Sequence, residues 1–137
     1  MANINNLKRQ HNEIMEVTDY ILNKMKQPNL EENSRDIAKN INVIAGKLKI
    51  HLMNEDKYLY PEMLNSSNIE LKKIAEKYYD RMIKITDEFS KYKTKYNTFM
   101  KINANTLEFK KDTKEIFDIL KSRINKENTE LYPLMDK

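Results

Sequence analysis

The stretch His51-Leu52-Met53-Asn54-Glu55-Asp56-Lys57-Tyr58-Leu59-Tyr60-Pro61 decides how this chain is read. It returns in altered form as Arg123-Ile124-Asn125-Lys126-Glu127-Asn128-Thr129-Glu130-Leu131-Tyr132-Pro133, aligned without a gap at an offset of 72 and identical at Glu, Leu, Tyr and Pro. Helix positions four apart lie one turn above each other on the same face. His51 and Glu55 therefore point the same way, as do Arg123 and Glu127. Leu59 and Leu131 carry that face on into apolar packing. An imidazole stacked with a carboxylate on a core-facing stripe forms half of a metal site. The second copy keeps the carboxylate and sets a guanidinium where the first has its imidazole.

Composition bounds what surrounds these segments. At 137 residues the chain is expected to form one domain over 1–137, with core enough to stand without staples. One Gly and three Pro leave few breakers, which favours long helices. Charged residues at 34% and hydrophobic ones at 39% describe a globular chain, not a disordered one. No apolar run approaches a membrane span, and the first residues lack the apolar core of a signal peptide, so no membrane association and a cytoplasmic location are expected. The absence of Cys excludes disulfides, thiolate metal sites and Cys nucleophiles. The net charge of +4 invites a nucleic-acid reading. The lysines nevertheless alternate with acids, as in Lys72-Lys73-Ile74-Ala75-Glu76-Lys77, the pattern of a solvated face. No nucleic-acid partner is expected.

Taken in order, the chain reads as four helices. The first runs from about Asn5 to Lys26, with Leu7, His11, Ile14, Thr18 and Ile21 at steps of four and three. Gln27-Pro28-Asn29 ends it, and the second starts near Asn33 or Ser34, either a good N-cap. It carries Ile37, Ile41, Ile44, Leu48, His51 and Glu55 inward until Pro61 stops or kinks it. A turn at Asn65-Ser66-Ser67-Asn68 leads to a third helix from about Ile69 to Met100, with Tyr78, Met82, Ile85, Phe89, Tyr92 and Tyr96 on its stripe. After Asn103-Ala104-Asn105 the fourth places Ile116, Leu120, Arg123, Glu127 and Leu131 on one face. Four amphipathic helices with short connections predict an all-α fold, an up-down-up-down antiparallel four-helix bundle.

The stripes also locate a candidate site. His11 lies inside the apolar stripe of the first helix, and superposing the third helix on the first aligns it with Met82. The chain thus reads as two copies of a helical hairpin, one offering His11, His51 and Glu55, the other Met82, Arg123 and Glu127. Ligands converging from different helices are how such bundles build metal sites.

On Arg9-Gln10-His11-Asn12-Glu13-Ile14, His51-x-x-x-Glu55 with Leu59-Tyr60-Pro61, and Arg123-Ile124-x-x-Glu127 with Leu131-Tyr132-Pro133, the whole chain resembles a hemerythrin-like domain, also called the HHE cation-binding domain. The paired Glu and Leu-Tyr-Pro segments are more specific than any single His-x-x-x-Glu. The resemblance implies a non-heme di-iron centre in a four-helix bundle, with Glu55 and Glu127 as bridging carboxylates and His11 and His51 as capping ligands. It also implies oxygen binding, oxygen or redox sensing, or handling of iron or nitric oxide damage.

The departures from that pattern shape the expectation. Oxygen-binding relatives carry about five histidines, whereas this chain has two. Met82 stands in place of one ligand, with only Asp80, Asp87 and Glu88 nearby as oxygen donors, and Arg123 stands in place of another. The segment from Ala75 to Met82, together with Arg123-Ile124-x-x-Glu127-Asn128, resembles a divergent branch of the family with arginine as a type feature. A guanidinium stays protonated and has no acceptor, so Arg123 supplies charge rather than a ligand. It is placed to clamp Glu127 or Glu55 bidentately. The expectation is one ion held by His11, His51, Glu55 and Glu127, with Arg123 compensating charge and an open position for a small diatomic or oxidant ligand. Two nitrogens and two or more oxygens suit iron first, then manganese or zinc.

The alternative is a metal-free bundle serving as an interaction or structural module, its core neutralised by His, Glu and Arg among themselves. Tyr58, three residues beyond Glu55, is a candidate for the outer shell of the site, as is Met82, whose default role is core packing. Tyr60 and Tyr132 are expected to close the bundle end. No general base or substrate pocket is legible, so binding or sensing is favoured over enzymatic turnover.

Overall fold

The computed structural model describes residues 3–135. Met1 and Ala2, part of the segment read for a leader, and the last two positions of the expected domain lie outside the described residues. The fold is all-helical. Helix α1 spans Ile4–Met25 and α2 spans Leu30–Asn54. A π-helical turn, Glu55–Leu59, then leads into the short α3, Tyr60–Leu64. Helix α4 covers Ile69–Tyr96, α5 Phe99–Ala104 and α6 Thr106–Lys126. A second π-helical turn, Glu127–Leu131, and a 3₁₀ turn, Tyr132–Leu134, follow. The long helices pack α1 on α2, α2 on α4, α4 on α6 and α6 on α1. Among the described residues no helix is long and apolar enough to cross a membrane.

Polar side chains set the helix starts. Asn3 accepts from the Asn6 N–H, Asn68 from those of Glu70 and Leu71, Thr98 from Lys101 and Asn105 from Glu108. Each satisfies donors that the first helical turn leaves open. Two expected boundaries move. The second helix starts at Leu30, not near Asn33 or Ser34, because Leu30 is buried and extends the apolar stripe by two turns. Ser34 is buried inside α2, where its hydroxyl donates to the Glu31 carbonyl and accepts from Asn103. The third helix breaks after Tyr96 because the Thr98 cap restarts the chain as α5.

The buried positions follow the stripes read from the sequence, Ile85 being the one only half-buried. They form two apolar clusters. One joins Ile14, Ile21, Ile37, Ile41, Ile44, Phe89, Phe109 and Phe117. The other joins Ile4, Leu7, Leu59, Tyr60, Met63, Tyr78, Met82, Leu131 and Tyr132. Burying each such large side chain contributes roughly 1.5–3 kcal/mol. His11 falls between Leu7 and Ile14, His51 between Leu48 and Leu59, and Glu127 between Ile124 and Leu131. A polar layer is thus held between two apolar ones.

The π-helical turns begin at the two carboxylates. The Tyr60 N–H bonds to the Glu55 carbonyl and the Tyr132 N–H to that of Glu127, each five residues back. Pro61 and Pro133 follow, with no N–H to continue an α-helical ladder. The wider turn closes the last backbone bond before the proline. Such turns concentrate at functional sites.

Candidate metal centre

Four side chains from α1, the α2 end and the α6 end converge. One ligand-type atom from each of His11, His51, Glu55 and Glu127 lies within 4.8 Å of the other three, and all four residues are buried. The His51 Nε2 is 3.3 Å from Glu55 Oε1, and the His11 Nε2 is 3.5 Å from Glu127 Oε1. The rings sit 4.4 Å apart, centroid to centroid.

Two amides set the tautomers. The Nδ1 of His51 lies 2.8 Å from Oε1 of Gln10, and the Nδ1 of His11 lies 2.8 Å from Oδ1 of Asn128. An amide oxygen only accepts, so each Nδ1 carries the proton and donates it. In the neutral ring the lone pair is then on Nε2, the nitrogen facing the carboxylates. Burial, reinforced by the neighbouring His51, lowers the His11 pKa to about 4, so the ring is neutral at pH 7. That is the form in which imidazole binds a metal.

The two carboxylates are shifted in opposite directions. Burial pushes Glu127 well above the usual carboxyl range, and the charge of Glu55 adds to the rise. Burial pushes Glu55 upward too, but the interaction with Glu127, with the neighbouring imidazoles adding to it, outweighs burial and holds that carboxyl below the usual range. On acidification Glu127 therefore takes up a proton before Glu55.

Tyr132 completes the cluster, and sequence reasoning missed it. Its hydroxyl donates to Glu55 Oε2 at 2.9 Å and lies 3.1 Å from the His11 Nε2 and 3.4 Å from the His51 Nε2. One phenolic proton therefore faces three acceptors. Among the described residues, Glu55 Oε1, Glu127 Oε2, Arg123 Nη1 and the Tyr60 hydroxyl are buried with no hydrogen-bond partner. The two carboxylate oxygens are buried acceptors that a cation or proton can meet. The donor set, two imidazole nitrogens and carboxylate oxygens, fits a first-row divalent or trivalent ion.

Arg123 does not clamp either carboxylate. Its Nη2 donates to the Tyr78 carbonyl, and the guanidinium stacks 4.3 Å above the Tyr78 ring. Among the described residues no ion pair joins it to Glu55 or Glu127. It is buried, however, and its charge lowers the pKa of Glu127. The backbone carbonyl of α4 has taken the donor that the sequence assigned to a carboxylate.

Tyr58 does not reach the site either. The π-helical turn swings it outward to 48% exposure, with Lys57 over its ring. Asp80, Asp87 and Glu88 are likewise exposed on α4. Met82 does face the centre, lining a cavity of about 20 Å³ together with His11, His51, Arg123 and Glu127. That volume holds about one water-sized molecule. Leu48, Leu52 and Met82 separate it from an open groove between α2 and α4.

The sequence model of the family described as "Hemerythrin HHE cation binding domain" matches residues 2–135. No curated protein and no solved structure matches the chain.

Proposed function

Because the chain belongs to the hemerythrin HHE cation-binding domain family, we propose that it binds one non-heme iron ion among His11, His51, Glu55 and Glu127, within a single up-down-up-down antiparallel four-helix bundle. Its role in this reading is to sense or handle oxygen, nitric oxide, peroxide or iron. One observation carries the proposal: both histidines turn a bare Nε2 towards two carboxylates in a buried layer, their Nδ1 atoms already committed to amides. Arg123 brings one positive charge to that layer, but a guanidinium offers those histidine nitrogens no ligand-accepting position.

A bound iron would supply Lewis acidity and a redox-active position for a small ligand. The protein's own groups do the rest. Gln10 and Asn128 hold the imidazoles in their ligating tautomer. Leu48, Leu52 and Met82 exclude bulk water, and the cavity they border suits a diatomic molecule better than an organic substrate. Arg123 supplies fixed positive charge beside Glu127. With two histidines in the chain and a guanidinium at the position equivalent to His51, the donors favour one ion over a pair.

The metal-free reading has Arg123 and one protonated histidine neutralise the two carboxylates. The hydrogen bond from Arg123 to Tyr78 and the orphaned atoms beside it favour the metal. Metal analysis of protein produced with iron supplied, with optical spectra under air and nitrogen, tests the proposal. One ion per chain and a gas-sensitive absorption band are expected. Two ions per chain would overturn the single-ion assignment. A colourless, metal-free protein whose melting temperature ignores chelator would establish the alternative.

A further inference from the structure

Gln10 and Asn128 meet their histidines from behind, on the nitrogen that points away from the cluster. Tyr132 meets the same two histidines from the front. Its oxygen lies 3.1 Å from one Nε2 and 3.4 Å from the other, on the side that carries the lone pairs, and 2.9 Å from Glu55 Oε2. An outer-shell partner touches one ligand on the face turned away from the ion. Tyr132 touches three of the proposed ligands on the face turned towards it.

The spacing carries the same message. Nitrogens and oxygens bound at about 2.0–2.2 Å to one ion are roughly 2.9–3.5 Å from their neighbours around it. The three Tyr132 distances fall within that span. We propose that Tyr132 is itself a metal ligand, giving its phenolic oxygen to the ion held by His11, His51, Glu55 and Glu127. This rests on the metal-binding reading above and extends it.

The fold fixes Tyr132 where the ligand is needed. Its side chain is fully buried, its ring stacks on His11 at 5.1 Å and 15°, and its N–H closes the π-helical turn onto the Glu127 carbonyl. Tyr60, the equivalent residue of the first copy, is equally buried, but among the described residues its hydroxyl meets no hydrogen-bond partner. The two copies therefore differ, and Tyr60 serves as the control. As the metal–oxygen bond forms, the phenolic proton now shared with Glu55 and the proton held by Glu127 both leave to solvent. Glu55, Glu127 and the phenolate together then carry three negative charges beside two neutral imidazoles, a set matched to iron(III) over zinc(II).

The test compares wild type, Tyr132→Phe and Tyr60→Phe, each titrated with iron(III) supplied as citrate, with metal content and the visible spectrum recorded together. Expected are one bound iron and a phenolate-to-iron charge-transfer band in wild type and Tyr60→Phe. In Tyr132→Phe the band disappears and iron(III) affinity falls by more than the roughly 10–100-fold typical of losing an outer-shell partner. Resonance Raman excited within the wild-type band reads the ring modes of a bound phenolate directly. That measurement decides the matter even if Tyr132→Phe does not fold. Wild-type protein that binds no iron would overturn the metal-binding reading and this inference with it. Iron bound without the band, or a band that survives in Tyr132→Phe, would overturn the inference alone.

Discussion

Oε1 of Gln10 on α1 lies 2.8 Å from Nδ1 of His51 on α2, and this contact between the first two long helices decides which imidazole nitrogen faces the buried carboxylates. Asn128 does the same for His11 at the other end of the chain. Replacing Gln10 or Asn128 by Ala should weaken metal affinity about 10–100-fold while leaving stoichiometry at saturating metal unchanged. Competition against a chelator of known affinity measures this. Wild-type affinity in both variants would mean the tautomers are set by something else.

The all-helical fold and the buried cluster of His11, His51, Glu55 and Glu127 were legible because both follow the period of a single helix. Ile14 and Ile21 mark the buried stripe of α1, and His11 lies on it. Glu55 follows His51 by four residues, as Glu127 follows Arg123. What stayed hidden depends on contacts between helices or on departures from α geometry. Gln10 precedes His11 and therefore points elsewhere on α1; its partner is on another helix, which no one-helix period encodes. Tyr132 lies five residues beyond Glu127, about 140° away around a straight α-helix. The i→i+5 closure of the π-helical turn brings it back over the carboxylate and carries Tyr58 off that face in the first copy. The signal was present as a proline six residues after each glutamate. Arg123 misled for a related reason: the competing acceptor is a backbone carbonyl, which every residue has and no sequence pattern marks.

Away from the site, the buried hydroxyls of Tyr92 and Thr113 meet at 2.7 Å and tie α4 to α6. Tyr92→Phe leaves the Thr113 hydroxyl unpaired and should cost about 1–3 kcal/mol of folding stability. Adding Thr113→Val to that variant removes the orphan and should recover most of the loss. Denaturant unfolding of the two single variants and the double closes the cycle. Additive losses would show that the hydroxyls are not coupled.

In metal-free protein the cluster should leave opposing marks on stability against pH. His11 is depressed from 6.5 to about 4, so the unfolded chain takes up its proton first on acidification. Its contribution to stability therefore rises from about pH 4 to 6.5. Glu127 is raised above 4.5, so the folded chain holds its proton longer. That contribution is complete below pH 4.5 and is lost as pH climbs through the raised value. Glu127→Gln removes the falling limb. With chelator present, its melting temperature should climb more steeply than wild type between pH 4.5 and 6.5. Parallel profiles would show that Glu127 titrates normally.

Arg123 occupies the position equivalent to His51, one turn before its glutamate, and the difference between the two copies is the difference between a fixed cation and a lone pair. A guanidinium keeps its proton at any physiological pH and so cannot ligate. Arg123→His removes that charge and offers a nitrogen beside Glu127. Metal content per chain should rise above that of wild type under the same iron supply. Metal-free, the variant loses the donor now given to the Tyr78 carbonyl. Losing that hydrogen bond from a buried charged donor should cost about 1.5–3 kcal/mol. Metal at a hundred times its dissociation constant would return about 2.7 kcal/mol. The expected signature is therefore a variant less stable than wild type with chelator and close to it with iron. A destabilised variant with unchanged metal content would refute the latent second position and leave Arg123 a clamp holding α4 to α6 through Tyr78.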